Sequence, residues 1–479
     1  MDAKGKKGKE KKKKEGQQRN VHECISVVDH RYYVKEVANI LSSTASLRYL
    51  CKVEVALVKT LERHGLCDKN VVKEVERACE GVTMDEVAAE ELRTKHDIRA
   101  LVNCIQRNVS DGAKPYVHAT ATSYDIVDTA KALQYQEAMN EVVLPELMAL
   151  ERTLIELALK EAETVQIGRT HGQHAVPITF GFAVANYVNR LGDCIAQLRK
   201  HTKELRGKFS GAVGAYNASS LFFALPERFE QEVLGELQLE PALCTTQIVP
   251  PEPIIRLMHE CASAAGVMAN IARDMRHLQR TEIDEMGEEF DDAQVGSSTM
   301  AHKKNPVTFE NIESIWKIIV GRMVTIDIDQ ISEHQRDLTG SASSRTYPEV
   351  INYVVYMSRR LNRAMKKLKV NHAGLVRSLQ LQSGLIIAEP LYLILAMLGH
   401  PDAHEKVKKL SMRARGEKKA LEELAKNDPE LQPYFKKMTK EQKLIFMAPD
   451  RLYTGIAAKK AKDVAHFWAD ALTIHLIRR

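Results

Sequence analysis

The chain has 479 residues, of which 44% are hydrophobic and 28% are charged, a balance typical of a globular protein. Its 24 Gly and 15 Pro are few for this length, which argues against an all-β fold and favours long helices. No stretch approaches ~18 consecutive apolar residues, so no membrane-spanning helix is expected.

The whole net charge of +6 lies in the first 20 residues. This segment carries eight Lys and one Arg against Asp2, Glu10 and Glu15, whereas the rest of the chain holds 60 basic and 60 acidic side chains. Because it has almost no apolar residues to offset the entropy of ordering, we predict that it is disordered. Such a basic arm could contact RNA or acidic lipid, but a solvated tail is the simpler interpretation, and neither nucleic acid nor a membrane is an expected partner.

Beyond the tail, the predicted elements are helices throughout. Shorter helices with frequent breaks are predicted over 21–122 and again over 371–479. Five long helices are predicted between these regions, at about 124–163, 175–207, 254–286, 306–335 and 348–370. At ~150 residues per domain, this pattern indicates a disordered tail and three helical domains: 1–20, 21–122, 123–370 and 371–479.

The helix predicted at 254–286 carries an apolar stripe at spacings of three and four residues, which is typical of a helix that packs along one face. The stripe consists of Ile254, Leu257, Cys261, Ala264, Met268, Ile271, Met275 and Leu278. A helix of this length would span roughly 50 Å and cannot cover its own stripe. We therefore predict an all-α fold around an extended helix bundle, with contacts within one subunit or between subunits.

The eight cysteines show neither a CxxC pair nor the Cys/His spacing of a zinc site. Several lie in apolar helical stretches, as Cys261 does. We interpret them as small buried hydrophobic residues in a reducing compartment, which indicates the cytoplasm.

Three segments interrupt the helical pattern with many Gly and polar residues: 95–128, 168–181 and 287–306. Functional residues tend to lie where a rigid scaffold gives way to loops, so these are the candidate site segments. The third contains GSSTMAHKKNP at 296–306, in which Pro306 stands where a helix can begin. An ordinary connection between helices would explain this composition but not the particular string.

The string resembles the signature loop of the fumarase/aspartase superfamily, whose members release fumarate by β-elimination. Two further segments support the resemblance: GRTHGQHAVPITFG at 168–181, and KHD at 95–97 followed by VHATATSYDIVDTA from Val117. In this combination and order they resemble most closely the adenylosuccinate lyase family within that superfamily. The resemblance spans about 31–345.

The chain departs from the family pattern at two places. Ala301 stands where the signature loop usually has proline, which restricts the backbone, so the departure changes the stiffness of the loop. The sequence IVPPEP at 248–253 replaces a polar stretch, so the contacts expected next to Gln247 differ there.

The resemblance implies an all-α homotetramer in which long helices form a shared core and each active site draws on three subunits. It implies adenylosuccinate as substrate, together with the succinylated carboxamide ribotide SAICAR. Elimination needs a base for the proton beside a carboxylate, an acid for the departing nitrogen, and donors for the charge that builds on the intermediate. This chemistry requires no metal or organic cofactor, and we expect none.

The resemblance also assigns catalytic roles. Ser297 is the expected general base, and His171, inside RTHG, is the expected general acid. Lys303 is expected to stabilise the serine alkoxide or to bind the succinyl carboxylate together with Asn305. Glu310 matches the acidic residue that orients the histidine.

His96 and His118 are expected to line the same pocket, with His96 near the carboxylate or phosphate end of the substrate. His174 has no comparable match and is expected only to support its turn. Arginine suits a phosphate because its guanidinium can bond bidentately. The other substrate-binding residues implied by the resemblance are Arg31, Tyr32, Lys95, Asp97, Thr122, Ser123, Gln247, Arg336, Ser341 and Arg345.

Three other interpretations stay open on the sequence alone. The chain could be another fumarate-releasing lyase, such as an argininosuccinate lyase, or a carboxymuconate cycloisomerase. It could also be a helical scaffold that has lost catalysis and uses its basic tail to bind RNA or a partner. The departures at Ala301 and 248–253 favour the scaffold, whereas the retained Ser, His, Lys, Asn and Glu argue against it.

Overall fold

The chain is predominantly helical in the computed structural model, which describes residues 25–289, 299–300, 302–381 and 384–476. In the N-terminal part, the two helices on either side of the 95–96 turn are held together by Glu90. Its carboxylate accepts a hydrogen bond from Asn103 (2.7 Å) and pairs with Arg107. The N-terminal part contains six helices: α1 (Val27–Arg31), α2 (Lys35–Leu41), α3 (Ser43–Arg63), α4 (Lys69–Gly81), α5 (Met84–Thr94) and α6 (Asp97–Arg107).

The long helices form a bundle in the centre of the molecule. The elements of this region are α7 (Ser123–Ala138), α8 (Leu144–Lys160), α9 (Phe180–Glu204), α10 (Pro226–Gly235), α11 (Glu252–Leu278), α12 (Val307–Ile328) and α13 (Tyr347–Lys366). Helix α11 packs against α9, α12 and α13, and α9 also packs against α8. The stripe predicted on α11 is confirmed, since Leu257, Cys261, Ala264, Met268 and Ile271 are fully buried. The all-α fold is therefore confirmed.

The helix predicted at 124–163 is present but changes geometry near its middle. Helices α7 and α8 are joined by a π-helical turn, Met139–Val143. Pro145, at the start of α8, lacks the N–H that a continuous α-helix would use. The wider turn just before it accommodates this break in the hydrogen-bond ladder.

A β-hairpin stands where the sequence analysis expected a helix to begin at 175. Strands β1 (Val165–Thr170) and β2 (Gln173–Thr179) pair antiparallel, and α9 begins only at Phe180. His171 and Gly172 have φ of 53° and 73°, the left-handed backbone of a two-residue hairpin turn, whereas His174 lies on β2. The segment forms strands because it is rich in β-branched residues, which favour a strand over a helix: Val165, Ile167, Thr170, Val176, Ile178 and Thr179.

Three of the long helices end four or more residues earlier than predicted. Helices α11 and α13 stop at Leu278 and Lys366 because the chain then enters a two-stranded ladder, in which β3 (Met286–Gly287) pairs antiparallel with β4 (Lys369–Val370). Helix α12 stops at Ile328 rather than 335. The next residue, Asp329, accepts hydrogen bonds from the Ser343 and Tyr347 hydroxyls at 2.6 and 2.9 Å, which directs the chain toward the start of α13.

The C-terminal region has a hydrophobic cluster of its own, built from residues between Ile387 and Phe446. Its last helix instead packs on the central bundle, against α8 and α9, where Trp468 lies so close to Gly192 that any side chain there would clash. The division of the chain into three domains stays a prediction. The helices are α14 (His372–Gln380), α15 (Ala388–Met397), α16 (Ala403–Glu417), α17 (Leu421–Lys426), α18 (Gln432–Lys437), α19 (Lys440–Met447), α20 (Pro449–Leu452) and α21 (Ala457–Ala471).

The cysteines of the described ranges form no disulfide. Four of them are buried as predicted, Cys67 and Cys79 are half-buried, and Cys244 is exposed, so the prediction of burial was wrong for Cys244. Among the helices that the structure describes, none has the length and hydropathy needed to cross a membrane.

Candidate active site

The predicted site residues fall into three groups, each held by different elements. The first group gathers around the start of α7 and contains the histidines of the 95–128 segment. The second is the hairpin turn that carries His171. The third lies at the start of α12, where the signature loop returns to the bundle. Ser297 and Ala301 lie outside the described residues.

His96 begins α6 and faces the start of α7. Its Nδ1 accepts the N–H of Arg99 at 3.3 Å, and its Nε2 lies 3.5 Å from the Ser123 hydroxyl. The preceding Lys95 has a left-handed backbone, φ 54°, which forms the tight turn between α5 and α6. Asp97 follows in the first turn, where it accepts the N–H of Ile98 at 2.7 Å. The structure therefore brings His96 and Ser123 together.

Asp125 anchors the start of α7 and was not among the predicted site residues. Its carboxylate is fully buried, accepts the Thr122 N–H at 2.8 Å and the Gly211 N–H at 3.2 Å, and pairs with the equally buried Lys208. A carboxylate with three protein partners has a structural role, because it fixes the backbone that presents Thr122 and Ser123. Asp125 is part of the SYD sequence in the motif, so the motif could have pointed to it. Its partner Lys208 lies 83 positions away and could not be identified from the motif.

His118 belongs to the same group. Its Nδ1 lies 2.7 Å from a carboxylate oxygen of Glu54 on α3, and Glu54 is fully buried. Burial by itself lowers the pKa of His118, but the adjacent Glu54 carboxylate outweighs this effect, so that the pKa is raised overall. Glu54 is a second residue that sequence reasoning missed.

Arg336 contacts the first group and lines a neighbouring cavity. Its guanidinium lies over the Tyr124 ring, 4.2 Å from the ring centroid, and Tyr124 directly follows Ser123. The backbone N–H of Gln247 donates to the carbonyl of Gln335 at 3.1 Å, which places Gln247 beside Arg336 in the fold. Arg345 donates to the carbonyl of Ser341 within one turn of the chain.

The cavity next to Arg336 has a volume of about 410 Å³, large enough for a small-molecule ligand. The IVPPEP segment that departs from the family pattern lines one wall of it. Within this segment, Val249 donates its N–H to Asp128 at 3.0 Å. Burial raises the pKa of the Asp128 carboxyl, while Lys131 and this hydrogen bond oppose the shift.

The second group is the hairpin turn, which presents His171 to solvent. Arg169, two residues before it, forms an ion pair with Glu285, and Gln166 donates to the same carboxylate at 2.8 Å. Glu285 is fully buried and stands directly before β3. His174, on the other strand, has its pKa lowered first by burial and then by the charge of Arg169, which fits a supporting role.

The third group is held by two polar side chains at the base of the signature loop. The Gln279 side chain accepts the Glu288 N–H at 3.0 Å and donates to the Lys304 carbonyl at 3.1 Å. Glu288 in turn accepts the N–H groups of Thr308 and Phe309, at 3.1 and 3.2 Å, as a cap on α12. Burial raises the pKa of the Glu288 carboxyl. We call Gln279 and Glu288 the loop clamp.

The loop clamp fixes the backbone on either side of the predicted lysine and asparagine. The Lys303 N–H donates to the Met300 carbonyl at 3.0 Å, and the Val307 N–H donates to the Asn305 carbonyl at 2.8 Å. Glu310 is exposed in the first turn of α12, and its N–H donates to the Pro306 carbonyl.

The Arg31–Tyr32 pair meets the third group at the start of α12. The Tyr32 hydroxyl accepts a hydrogen bond from Asn311 at 3.3 Å, and its carbonyl accepts one from Asn352 at 2.8 Å. Arg31 is exposed next to it. Asn311 directly follows Glu310 on α12, so Tyr32 lies close to Glu310 in the fold. Within the described ranges, no cluster of three His, Cys, Asp or Glu side chains has the arrangement of a metal site.

Comparisons with known proteins agree with this fold. The model of the family described as "Lyase" matches residues 29–321, and the model described as "Adenylosuccinate lyase C-terminal" matches 332–444. The solved 3-carboxy-cis,cis-muconate lactonizing enzyme of Pseudomonas putida shares the fold with a TM-score of 0.80 and 25% identity, over 93% of this chain and 99% of that one. These findings place the chain in the lyase family of the fumarase/aspartase superfamily.

Two curated relatives narrow the membership. The adenylosuccinate lyase of Methanocaldococcus jannaschii is 33% identical over 92% of this chain and 95% of its own length. The adenylosuccinate lyase of Pyrococcus abyssi is 34% identical over 93% of this chain and 98% of its own length. Within the lyase family, the chain belongs to the adenylosuccinate lyases.

Proposed function

We propose that the protein catalyses β-elimination of fumarate from adenylosuccinate to give AMP, and the corresponding elimination from SAICAR to give AICAR. One observation carries the proposal: the chain matches adenylosuccinate lyases over more than nine-tenths of its length. The two substrates share a succinyl-amine and a ribose phosphate, so one site can serve both.

In the proposed reaction, a C–H bond and a C–N bond of the succinyl group break and a C=C bond forms. Ser297 takes the proton from the carbon beside a carboxylate, and His171 gives a proton to the departing nitrogen. Lys303 and Asn305 hold the carboxylate on which negative charge builds, and Glu310 orients His171. The exposed position of His171 on a two-residue turn supports this role, because the imidazole is available to a substrate or to another subunit.

The first group of residues suits the anionic ends of the substrate. His96, Thr122 and Ser123 offer an imidazole and hydroxyl donors at one point of the fold, and Arg336 stands close by at the mouth of the 410 Å³ cavity. We assign Arg336, Ser341 and Arg345 to the phosphate. The other binding residues in this proposal are Arg31, Tyr32, Lys95, Asp97, His118 and Gln247.

We further propose that the protein is a cytoplasmic homotetramer and that each site combines the three groups from different subunits. Helix α12 presents Val320, Val324 and Ile328 with 44–65% of their surface exposed, an apolar strip that another subunit could cover. The unpaired cysteines of the described ranges suit a reducing compartment.

A substrate panel tests the proposed function. Purified protein is mixed separately with adenylosuccinate, SAICAR, argininosuccinate and carboxymuconate, and product formation is followed by absorbance and chromatography. We expect turnover of the first two and a kcat/KM at least ~10³-fold lower for the others, because a site built to bond the nucleotide rejects analogues that lack it. Preferred turnover of argininosuccinate or carboxymuconate would contradict the proposal, and the absence of any turnover would favour the scaffold.

A further inference from the structure

Glu54 is a buried carboxylate whose contact with His118 has no role in the proposed reaction. It lies on α3 with no exposed surface, and one oxygen is 2.7 Å from His118 Nδ1. The other oxygen, Oε2, has no hydrogen-bond partner among the described residues. A buried carboxylate is costly unless a cation or donor compensates it. His118 supplies that compensation.

The backbone around His118 is shaped to make this contact. His118 has φ 64°, a left-handed conformation that is unfavourable for a residue with a side chain. Its carbonyl accepts the Ala121 N–H at 3.3 Å, in the turn that leads into α7. Only 19% of the His118 side chain is exposed. The strained turn therefore holds the ring against Glu54.

The charges around this pair come from three other helices. Asp125 on α7 and Arg99 on α6 act on His118 with opposite signs, and Asp125 is itself paired with Lys208. The pKa of the Cys79 thiol on α4 is raised chiefly by its hydrogen bond with Cys51 and by burial, and the charge of Glu54 adds to this effect. Glu54 is thus the one carboxylate in direct contact with the imidazole among the described residues.

We propose that Glu54 is a positioning residue that holds His118 through Nδ1–H as an imidazolium and leaves Nε2–H to donate to an anionic group of the substrate. The inference rests on the proposed function in one respect, the presence of an anionic substrate beside His96 and Ser123. Because His118 Nδ1 is hydrogen-bonded to Glu54, Glu54 sets both the orientation and the charge of the ring without touching the substrate.

The substitution Glu54→Gln tests this role because it keeps the shape and a hydrogen-bond acceptor but removes the charge. We expect the pH above which kcat/KM declines to be lower in Glu54→Gln than in the wild type, because the imidazolium is then lost at a lower pH, and the two kcat/KM values to converge as the pH falls. The matched control is Glu151→Gln, which changes another fully buried glutamate, on α8, and should leave the pH profile of kcat/KM unchanged. In a His118→Gln background, Glu54→Gln should have no further effect on the profile.

A measurement without substrate separates this inference from the proposed function. The ring of His118 is titrated by NMR on histidine-labelled protein, with His118→Gln to assign the signal. We expect His118 to titrate above the ~6.5 of an unstructured histidine, and at lower pH in Glu54→Gln. If Glu54→Gln does not fold, the titration of the unmodified protein still decides. A His118 that titrates below ~6.5, or whose titration and kcat/KM profile ignore Glu54→Gln while only the Tm falls, would overturn the proposal.

Discussion

Arg169 forms an ion pair with the fully buried Glu285, with Nη1 3.2 Å from a carboxylate oxygen. This pair connects the 168–181 segment with a residue that lies just before the 287–306 segment, and the two residues are 116 positions apart in the sequence. Arg169 stands two residues before His171 on the hairpin, and Glu285 stands directly before β3 and the loop clamp. The position of the proposed general acid is therefore tied to the base of the loop that carries the proposed general base.

The first prediction concerns this ion pair. Arg169→Leu leaves the buried Glu285 carboxylate without its cation. Such a loss typically lowers the free energy of unfolding by ~3–5 kcal/mol, so we expect a clear drop in Tm together with lower kcat. Glu285→Gln removes the charge but keeps one acceptor oxygen, and it should lower kcat more than it lowers Tm. The control is Lys462→Ala, which breaks the exposed pair with Glu163 and should change neither quantity measurably. Equal effects of all three changes in calorimetry and steady-state kinetics would contradict the account.

The second prediction concerns the loop clamp. Gln279→Ala removes the side chain that joins the Glu288 N–H to the Lys304 carbonyl, so the backbone beside Lys303 and Asn305 loses its anchor. We expect kcat to fall by ~10–100-fold, the order of loss produced by a small misplacement of binding groups, with little change in helix content. A suitable control is Gln442→Ala, which removes a comparable bond at the start of α19. An unchanged kcat in Gln279→Ala would show that the clamp does not position these residues.

The third prediction concerns the two proposed proton-transfer residues. Ser297→Ala and His171→Ala should each lower kcat by at least ~10²-fold, the usual size of general acid–base effects, while the oligomeric state by light scattering stays that of the wild type. His404→Ala changes an exposed histidine on α16 and serves as the control. Near-normal turnover in either of the first two variants would remove that residue from its proposed role.

The fourth prediction concerns Glu151, which is fully buried in α8 and has no hydrogen-bond partner for either oxygen within the described part of the chain. Burial raises the pKa of this carboxyl well above its usual range. A carboxyl whose pKa is raised on folding reduces stability as the pH rises above its unfolded pKa, because the folded state must then ionise it or keep it protonated at a cost.

Replacing Glu151 by Gln removes this dependence. We expect the Tm of Glu151→Gln to exceed that of the wild type by a larger margin at about pH 8 than at about pH 5, as measured by calorimetry at both values. The corresponding exposed change, Glu163→Gln, should show no such pH-dependent difference. A constant or reversed margin for Glu151→Gln would contradict the assignment of a buried, unpaired carboxyl.

Periodicity and local motifs predicted much of the fold. The stripe on α11 follows from residues that are close in sequence and is confirmed, and the turn at His171 lies in one of the three segments predicted to interrupt the helices. The hairpin strands around that turn were missed because the sequence analysis treated the segment as a loop between helices, although its β-branched residues were visible. The early ends of α11 and α13 depend on the pairing of β3 with β4, which no local pattern records.

In the candidate site too, features set by nearby residues could be predicted and features set by distant partners could not. His96, His171 and Arg336 could be selected from motifs, since a resemblance identifies residue types in order along the chain. The residues that hold them in place could not, because Glu54 reaches His118 across 64 positions and Lys208 reaches Asp125 across 83. A buried glutamate on an amphipathic helix looks like any other polar residue until its partner is known.

The most direct test of the account is subunit mixing of two inactive variants. Ser297→Ala and His171→Ala are dissociated, combined in equal amounts and reassembled, and AMP and fumarate released from adenylosuccinate are then quantified. If each site takes its serine and its histidine from different subunits, random reassembly restores both groups in about one quarter of the sites, with equimolar products. Mixtures that stay as inactive as the separate variants, although reassembly is complete, would contradict the claim that the two residues act together across a subunit interface.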